Sequence, residues 1–269
     1  MKIILSKKKL TKLLHMETNI GFVPTMGAIH IGHISLINKS ISQCNKTVVS
    51  IFINKPQFNK MNDYKRYPRS LSNDVLKLRR QKVDYLYLPR TNQIYPHGYN
   101  KKIRIHPLEK KLCGKFRPGH FKAVADVINR FINIIKPSKI YFGEKDMQQL
   151  KIIDDFVKKN KIETKIVECK TIRENNGIPC SSRNFLLSPK DKIIASKIYK
   201  LIIKEKNNLI KKKISLKVLK KKISILRVNK IDYLQMLDVN KLTKPFIRKK
   251  RYKIFIAYYL GSTRLIDNI

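Results

Sequence analysis

Apolar and polar residues alternate along the chain in blocks that predict short strands separated by helices. Four predicted strands are short, largely apolar runs, mostly rich in β-branched or aromatic residues as in a buried parallel sheet, at residues 20–23, 47–53, 83–88 and 139–142. A fifth strand is predicted at residues 164–169. Helical patterns occupy the intervals, at residues 7–15, from 34 onward, at 70–80, up to 135 and from 147 onward. This βαβ alternation predicts an α/β fold, a Rossmann-like doubly wound parallel sheet.

The pattern changes after residue 169, where a turn-rich joint at residues 175–179 interrupts the alternation. Ser188 and Pro189 then supply an N-cap and a first-turn proline for another helix. The elements predicted beyond the joint are that helix to about residue 206, a lysine-rich helix at 215–226 and strands at 231–237 and 253–259. We therefore expect two domains, residues 1–174 and a smaller C-terminal α+β domain at residues 175–269.

Composition adds a strong positive charge to this picture. The 269 residues include 60 Lys and Arg against 18 Asp and Glu, a formal net charge of +42. Such a balance usually indicates a polyanionic partner, and a nucleic-acid-binding protein is therefore one hypothesis. The lysines are scattered, however, and Ile, Asn and Lys are over-used together while Gly is scarce and Trp absent. This joint skew favours drift toward AT-rich codons on a solvated surface, so no specific nucleic-acid partner is expected.

Several classes of protein can be set aside. Four cysteines without C-x-x-C spacing indicate reduced thiols rather than a metal or disulfide framework. No stretch approaches the about 18 apolar residues that span a membrane, and the apolar start at residues 1–5 is too short for a signal peptide. We expect a cytoplasmic protein with no membrane partner. No P-loop, Gly-x-Ser-x-Gly elbow or zinc cluster is present.

The strongest candidate for chemistry is the string Pro-Thr-Met-Gly-Ala-Ile-His-Ile-Gly-His at residues 24–33. It joins a predicted strand to a predicted helix, and there an open α/β sheet offers backbone N–H groups and a positive helix end to an anion. His30 and His33 lie on one face of the first helical turn, so both could reach a bound phosphate. An isolated His-x-x-His more often consists of polar cap residues. The four-letter string His-Ile-Gly-His, however, is the signature of adenylyl-transferring α/β enzymes.

Other polar strings follow later strands. Lys145, in the string Gly-Glu-Lys-Asp at residues 143–146, could neutralise phosphate oxygens, although an ordinary charged turn is the simpler reading. The string at 181–183 (Ser-Ser-Arg) offers two hydroxyls and a guanidinium to a polyphosphate, or forms a capped turn. Gln57 and Gln149 can each donate and accept, which suits hydroxyl and carboxylate groups. Together with the string at 24–33, these two strings and two glutamines make five features, and all five are expected at the same edge of one sheet.

These strings occur in the order typical of one family. The chain carries them at residues 24–33, 50–54 with 57–58, 67–69, 117–121, 142–146 with 148–150, 181–184 and 264–268. Over nearly its whole length it thus resembles the pantothenate synthetase family, the pantoate–β-alanine ligases. Another His-x-Gly-His enzyme, such as a nucleotidyltransferase or a tRNA-synthetase fragment, is a closer rival than a nucleic-acid binder. That rival enzyme is disfavoured by the string at 117–121 and by the two glutamines, Gln57 and Gln149.

The resemblance implies an AMP-forming ligase with a defined reaction. Pantoate attacks the α-phosphate of ATP to give pantoyl adenylate and pyrophosphate, and β-alanine then displaces AMP. It also implies Mg²⁺ on the phosphates, no tightly bound organic cofactor, a Rossmann-like N-terminal domain for ATP and pantoate, a mobile C-terminal lid domain and a homodimer.

The resemblance also implies roles for particular residues. His33 and His30, with Lys145 on the phosphates, would be the catalytic groups, and Gln57 and Gln149 would bind pantoate, with Gln57 also near β-alanine. The residues implied in ATP binding are Met26, Gly27, Ala28, Ile29, His30, Ile31, Gly32, His33, Gly143, Glu144, Lys145, Asp146, Ile172, Cys180, Ser181, Ser182 and Arg183. Among these, Asp146 would lie near the ribose and Ile172 would contact adenine through its backbone. The family's Asn-Pro-x-Gln-Phe departs here to Asn-Lys-Pro-Gln-Phe, so Pro56 could alter the loop that orients Gln57.

Overall fold

The structure is a computed structural model, and it describes residues 1–239, 242 and 252–269. The chain forms two compact units. One comprises Met1–Glu144 and Gln148–Lys170, and the other comprises Lys145–Met147 and Thr171–Ile269. The second unit thus begins a few residues before the predicted boundary and takes in a short piece of chain that the prediction placed in the first domain.

The first unit contains a six-stranded parallel sheet, as the alternation of elements predicts. Its strands are β1 (Lys2–Ile4), β2 (Ile20–Thr25), β3 (Lys46–Ile51), β4 (Tyr85–Tyr87), β5 (Lys139–Gly143) and β6 (Lys165–Cys169). Their order across the sheet is β1-β4-β3-β2-β5-β6. The direction of winding therefore reverses between β2 and β5, and open α/β sheets bind ligands at the carboxyl end of such a switch point.

Helices connect these strands along the chain. They are α1 (Lys7–Leu14), α2 (Ile31–Gln43), α3 (Met61–Arg66), α4 (Leu71–Arg80), α5 (Thr91–Ile94), α6 (Leu112–Phe116), α7 (His120–Ile135) and α8 (Met147–Lys159), with 3-10 turns at Lys55–Gln57, Pro107–Lys110 and Glu144–Asp146. Phe22, Val23, Val48 and Val49 are all fully buried although successive side chains point to opposite faces. Both faces of the sheet are therefore covered, which explains why its central strands are continuous apolar runs.

Side chains at the end of helix α2 pack directly against the backbone of β2 at Gly21. A Cβ atom at Gly21 would overlap Ser40 Oγ and come within 3.0 Å of Cys44 Sγ. Ser40 Oγ also lies 2.8 Å from Thr47 Oγ1 on β3, which ties the same point of the helix to the neighbouring strand. Only glycine permits this approach at position 21, and α2 is thereby fixed against the two central strands.

The second unit is an antiparallel sheet with two helices. Its elements are a 3-10 turn at Ser182–Leu186, helices α9 (Pro189–Ile210) and α10 (Leu216–Ser224), and strands β7 (Lys230–Asp238), β8 (Tyr252–Leu260) and β9 (Thr263–Asn268), in the sheet order β7-β8-β9. Ser188 caps α9 as predicted, since its Oγ accepts from the Asp191 N–H at 3.1 Å. The helix continues beyond the predicted end at residue 206. Strand β9 is absent from the prediction because polar residues interrupt its apolar positions.

The state of the four cysteines agrees with the reduced thiols that their spacing predicts. Cys113, Cys169 and Cys180 are buried and Cys44 is half-buried, and none of these four described cysteines forms a disulfide. Burial raises the pKa of Cys169 and keeps it a neutral thiol. Along the part of the chain that the structure describes, no helix is both long and apolar enough to cross a membrane.

Candidate active site

The connection between β2 and α2 is a tight turn in a left-handed conformation. Gly27 and Ala28 have φ angles of 82° and 51°, a region that glycine adopts freely and alanine at a cost. His30 is the extended N-cap residue, and α2 begins directly after it at Ile31. The helix therefore starts inside the predicted phosphate-binding string rather than after it. This turn sits at the carboxyl end of β2, beside the switch point.

The amides of this turn are bonded within the protein. Gly27 N–H donates to Thr25 Oγ1 at 3.2 Å. The N–H groups of Ala28 and Ile29 donate to the two carboxylate oxygens of Asp74, at 2.8 and 2.7 Å. These three amides already have partners in the protein, and the expectation that the string binds an anion stays a prediction. The imidazoles and the first turn of α2 are the other groups of this string whose chemistry suits an anion.

His30 and His33 form a stacked pair. Their ring centroids are 3.9 Å apart with an interplanar angle of 26°. The His30 backbone N–H donates to His33 Nδ1 at 3.4 Å, a long bond in which Nδ1 is the acceptor, so the ring carries its proton on Nε2. The predicted proximity of the two rings is confirmed. One ring of the pair thus offers an N–H donor at the start of a helix.

Gln57 is held at the end of β3 by a chain of buried polar groups. Its Nε2 lies 3.0 Å from Met26 Sδ, and its Oε1 accepts from Asn54 Nδ2 at 3.1 Å. Asn54 Oδ1 in turn accepts from the Tyr95 hydroxyl at 2.7 Å. Burial raises the pKa of Tyr95, so this hydroxyl stays a donor. The side chain of Gln57 is consequently fixed beside the turn that carries the histidines.

The backbone of Gln57 is fixed by the string at residues 117–121. Its carbonyl accepts from Arg117 Nη2 at 3.1 Å and lies 2.8 Å from His120 Nδ1. Pro56 occupies the middle of the 3-10 turn Lys55–Gln57, and Phe58 N–H closes that turn onto the Lys55 carbonyl at 3.1 Å. The shifted proline is thus accommodated inside a regular turn, and Gln57 keeps partners on both its backbone and its side chain.

The two glutamines on α8 have different surroundings. Gln148 is buried, and its amide bonds Cys113 N–H, the Leu108 carbonyl and the Lys111 carbonyl at 2.7–3.0 Å. It therefore anchors the loop before α6. Gln149 is half-buried on the next position of the helix. The ligand-binding role that the resemblance implies for Gln149 stays a prediction.

Lys145 follows β5 and belongs to the second unit. Its Nζ lies 3.5 Å from Asp146 Oδ1, and its side chain is 16% exposed. Asn268 Nδ2 on β9 donates to the Lys145 carbonyl at 2.8 Å. Lys253 Nζ on β8 donates to Asn268 Oδ1 at 3.0 Å. The last strand of the second unit thus fixes the backbone that carries this lysine.

The loop at residues 172–183 also belongs to the second unit. The Cys180 N–H donates to the Ile172 carbonyl at 2.9 Å, so this carbonyl is already bonded within the loop. Ser181 Oγ accepts from the Arg183 N–H at 3.3 Å and caps the 3-10 turn that follows. Ser182 is buried. The capped-turn reading is therefore correct for the Ser181 hydroxyl.

Arg173 joins this loop to β9. Its Nη1 and Nη2 donate to Asp267 Oδ2 and Oδ1 at 2.7 and 2.9 Å, and Nη1 also donates to the Gly177 carbonyl at 3.0 Å. The guanidinium stacks over the Tyr199 ring at 4.5 Å. Burial lowers the pKa of Arg173, but its bonds and attraction to Asp267 outweigh burial and raise it overall.

We expect Asp267→Asn to lower the free energy of unfolding by about 2–4 kcal/mol, because it leaves a half-buried guanidinium with one neutral acceptor in place of a carboxylate. Urea unfolding followed by circular dichroism measures this change. Asp154→Asn is the control, since the exposed Lys158–Asp154 pair contributes about 0.3–0.5 kcal/mol. Equal effects of the two substitutions would contradict the role given to Asp267.

Several residues of the site escaped the sequence reading. Asp74 is the clearest, a 2%-exposed acid in the first turn of α4 that bonds the turn from a distant part of the chain. A signal existed, because Asp74 and the fully buried Leu78 are four residues apart and share one helix face. Asn54, Asp267 and Asn268 lie within the family strings, and the sequence alone assigns them no role.

A doubly wound sheet with a stacked histidine pair and a helix start at its switch point defines a class, the nucleotide-binding α/β enzymes. The family model for pantoate–β-alanine ligase matches residues 2–269. The chain therefore belongs to the pantoate–β-alanine ligase family, and it is an ATP-binding ligase of pantothenate biosynthesis.

Individual relatives agree over the whole chain. The pantothenate synthetase of Thermodesulfovibrio yellowstonii is 40% identical over 255 residues, covering 93% of this chain and 91% of the relative. The pantoate–β-alanine ligase of Francisella tularensis, solved in complex with β-γ ATP and β-alanine, superposes with a TM-score of 0.87 at 39% identity and covers 100% of this chain and 97% of that one. The pantothenate synthetase of Thermus thermophilus gives a TM-score of 0.89 at 31% identity, with 100% and 99% coverage.

Proposed function

We propose that the enzyme condenses pantoate with β-alanine through a pantoyl-adenylate intermediate and releases AMP and pyrophosphate. The observation that carries this proposal is the stacked pair of His30 and His33 at the start of α2, with the fixed amide of Gln57 beside the same turn. Imidazole donors at a helix start suit phosphate, and a neutral amide suits a hydroxy acid. A protein nucleophile is not needed for such chemistry.

In the first step, a carboxylate oxygen of pantoate attacks the α-phosphorus of ATP. A new P–O bond forms while the bond to the bridging oxygen breaks, and pyrophosphate leaves with the electron pair. The developing negative charge falls on oxygens that His33 and Lys145 are proposed to contact. Fixed donors of this kind act in the transition state without having to reorganise, which makes them the main source of rate in our proposal.

In the second step, the amine of β-alanine attacks the acyl carbon of the adenylate. A C–N bond forms, the C–O bond to AMP breaks, and the amine loses a proton. Gln57 and Gln149 are proposed to hold the pantoyl group during both steps. The remaining ATP contacts implied by the resemblance, from Met26–His33, Gly143–Asp146, Ile172 and Cys180–Arg183, belong to this proposal as well.

Magnesium enters the proposal as part of the substrate, MgATP. Among the described residues, no group of three or more His, Cys, Asp or Glu side chains could hold a metal ion on its own. In the proposal the ion is held mainly by phosphate oxygens and water, as Mg²⁺ is in many nucleotide sites. The ion supplies positive charge to the phosphates when bound. Asp146, whose side chain is 47% exposed, is the carboxylate next to Lys145 in this region.

The deciding experiment follows the pantoate oxygen. Pantoate labelled with ¹⁸O in its carboxylate is incubated with MgATP and β-alanine, and the AMP is examined by mass spectrometry. One ¹⁸O atom in AMP is the expected result. With MgATP and pantoate but no β-alanine, the enzyme should release pyrophosphate in a single turnover, and AMP should be released only when β-alanine is added. AMP formation that does not depend on pantoate, or AMP without ¹⁸O, would refute the intermediate.

A substitution at Gln57 tests its role in pantoate binding. Gln57→Glu keeps the acceptor for Asn54 but replaces the amide donor by a negative charge that repels the pantoate carboxylate. We expect KM for pantoate to rise at least about 100-fold, a penalty of about 3 kcal/mol, with KM for ATP little changed. The control is Gln93→Glu, because that glutamine likewise uses its Oε1 as an acceptor, from the Arg90 N–H. An unchanged KM for pantoate would exclude Gln57 from the pocket.

The larger organisation is proposed from the family resemblance. Residues 1–174 would hold ATP and pantoate, residues 175–269 would act as the lid domain, and two copies of the chain would form a homodimer in the cytoplasm. Sedimentation velocity at several concentrations tests the dimer. Retention on immobilised DNA at physiological salt tests the alternative partner that the +42 charge suggests, and we expect no retention that competes with ATP.

A further inference from the structure

Helix α4 holds the histidine-bearing turn through two of its side chains. Asp74 accepts the N–H groups of Ala28 and Ile29 at 2.8 and 2.7 Å, one on each carboxylate oxygen. Lys77, one turn further along the same helix, donates its Nζ to the Ile29 carbonyl at 2.6 Å. Both polar groups of the Ile29 backbone are therefore bonded to α4, across more than forty residues of sequence.

The burial of Asp74 shows how specific this arrangement is. Its side chain is 2% exposed, and a buried carboxylate is tolerated only where hydrogen bonds and positive charge replace water. The two amides and the N-terminal position of Asp74 on α4 supply that replacement. In return, the carboxylate stabilises a turn in which Ala28 has a φ of 51°, which alanine does not adopt readily.

Close packing leaves this turn little freedom. A Cβ at position 27 would lie 3.0 Å from Asp74 Oδ2 and 3.1 Å from Ile51 Cγ2, and the φ of 82° disfavours any other residue there. The turn leads directly into the His30 N-cap of α2. A shift at Ala28 or Ile29 must therefore move the stacked imidazoles.

We propose that Asp74 is a positioning residue for the ATP site. It touches neither the nucleotide nor the reacting atoms, but it sets the backbone from which His30 and His33 project. This inference rests on the proposed function, because it takes the histidine pair to bind the phosphates of ATP. A misplacement of such phosphate-binding groups by about 1 Å costs about 100-fold in rate.

The direction of the effect separates positioning from plain electrostatics. A carboxylate near an ATP site repels the phosphates. If Asp74 acted only through its charge, Asp74→Asn would remove this repulsion and tighten ATP binding. Positioning predicts the reverse. Asparagine presents only one acceptor, and its Nδ2 would meet one of the two backbone donors, so the turn loses a bond and gains a repulsion.

The test compares Asp74→Asn with Asp84→Asn in the full chain. Asp84 Oδ2 also accepts a backbone N–H, from Thr47 at 2.8 Å. Asp84 directly precedes β4, however, so it lies at the amino ends of the parallel strands, whereas the histidine-bearing turn lies at their carboxyl ends. We measure ATP affinity by calorimetry, pantoate-dependent pyrophosphate release, and hydrogen exchange of residues 26–30. For Asp74→Asn we expect a Kd for ATP at least about tenfold higher, kcat about 100-fold lower and faster exchange of the turn. Asp84→Asn should leave all three within about threefold of the wild type.

Each outcome decides the question. ATP binding by Asp74→Asn that equals or exceeds the wild type, with kcat within about threefold, would overturn the positioning role. If Asp74→Asn does not fold, Asp74→Ser, which keeps one short acceptor, is put through the same measurements. If the wild type itself releases no pyrophosphate with pantoate, the proposed function fails. The affinity for ATP and the exchange of the turn then still decide the role of Asp74.

Discussion

Lys145→Met should lower kcat/KM for ATP by about 10²- to 10³-fold, the usual loss when one fixed donor to a developing charge is removed. The lysine is well placed for this effect because its side chain is only 16% exposed and its backbone carbonyl is bonded by Asn268 at 2.8 Å. Methionine has nearly the same length, so the substitution removes the charge and leaves the packing. Initial rates of pyrophosphate release at varied ATP measure the change.

Lys151→Met is the matched control for that prediction. This lysine on α8 is 23% exposed and lies 4.0 Å from Glu168 Oε2, so it resembles Lys145 in burial and in having an acidic neighbour. Its substitution should change kcat/KM by less than about threefold. Lys145→Arg should recover part of the lost rate because it restores the charge. If the two methionine variants behave alike, Lys145 has no special contact with the phosphates.

His33→Ala should cut adenylate formation by about 10²- to 10³-fold while the fold is retained. In our proposal the ring supplies an N–H donor to the charge that develops on the phosphates, and neither alanine nor solvent can replace it in a fixed position. His33 Nδ1 also accepts the long bond from His30 N–H at 3.4 Å, so alanine removes a helix-start acceptor as well. Single-turnover pyrophosphate release, with circular dichroism as the check on folding, gives the result.

A second variant separates the two roles of His33. His33→Asn retains an acceptor for the His30 N–H but lacks the imidazole, so it should be as inactive as His33→Ala and more stable. His15→Ala, at an exposed position after α1, should leave the rate unchanged. Turnover by His33→Ala close to that of the wild type would contradict the assignment.

The central strands of the parallel sheet were predictable because they are buried on both faces and appear in the sequence as largely apolar runs. The ranges predicted at 20–23, 47–53, 83–88, 139–142 and 164–169 all overlap strands of the structure. Strands β1 and β9 are absent from the prediction for different reasons. β1 is only three residues long. β9 mixes apolar residues with charged ones, and the partner of a charged residue, such as Asp232 for Arg264 at 2.8 Å, lies in another segment of the chain.

The site was predictable where a residue type alone signals its chemistry. The two histidines, Lys145 and Gln57 stand out by type and by their place after strands, and the structure puts the histidine pair and Gln57 at the carboxyl ends of neighbouring strands. Asp74 and Asp267 could not be assigned this way, because they act through long-range bonds to backbone and guanidinium groups. The spacing of Asp74 and Leu78 places Asp74 on a buried helix face, but it does not show which groups the carboxylate bonds.

The close contact of Gly21 with Ser40 has a thermodynamic consequence for ligand binding. Because α2 cannot slide along β2, and Asp74 fixes the turn before it, the order in this segment is set during folding rather than when ATP arrives. Preorganisation of this kind spares the binding step the entropy of immobilising a loop. The calorimetric heat-capacity change on ATP binding should therefore reflect burial of the nucleotide surface, without the large additional term that accompanies coupled folding.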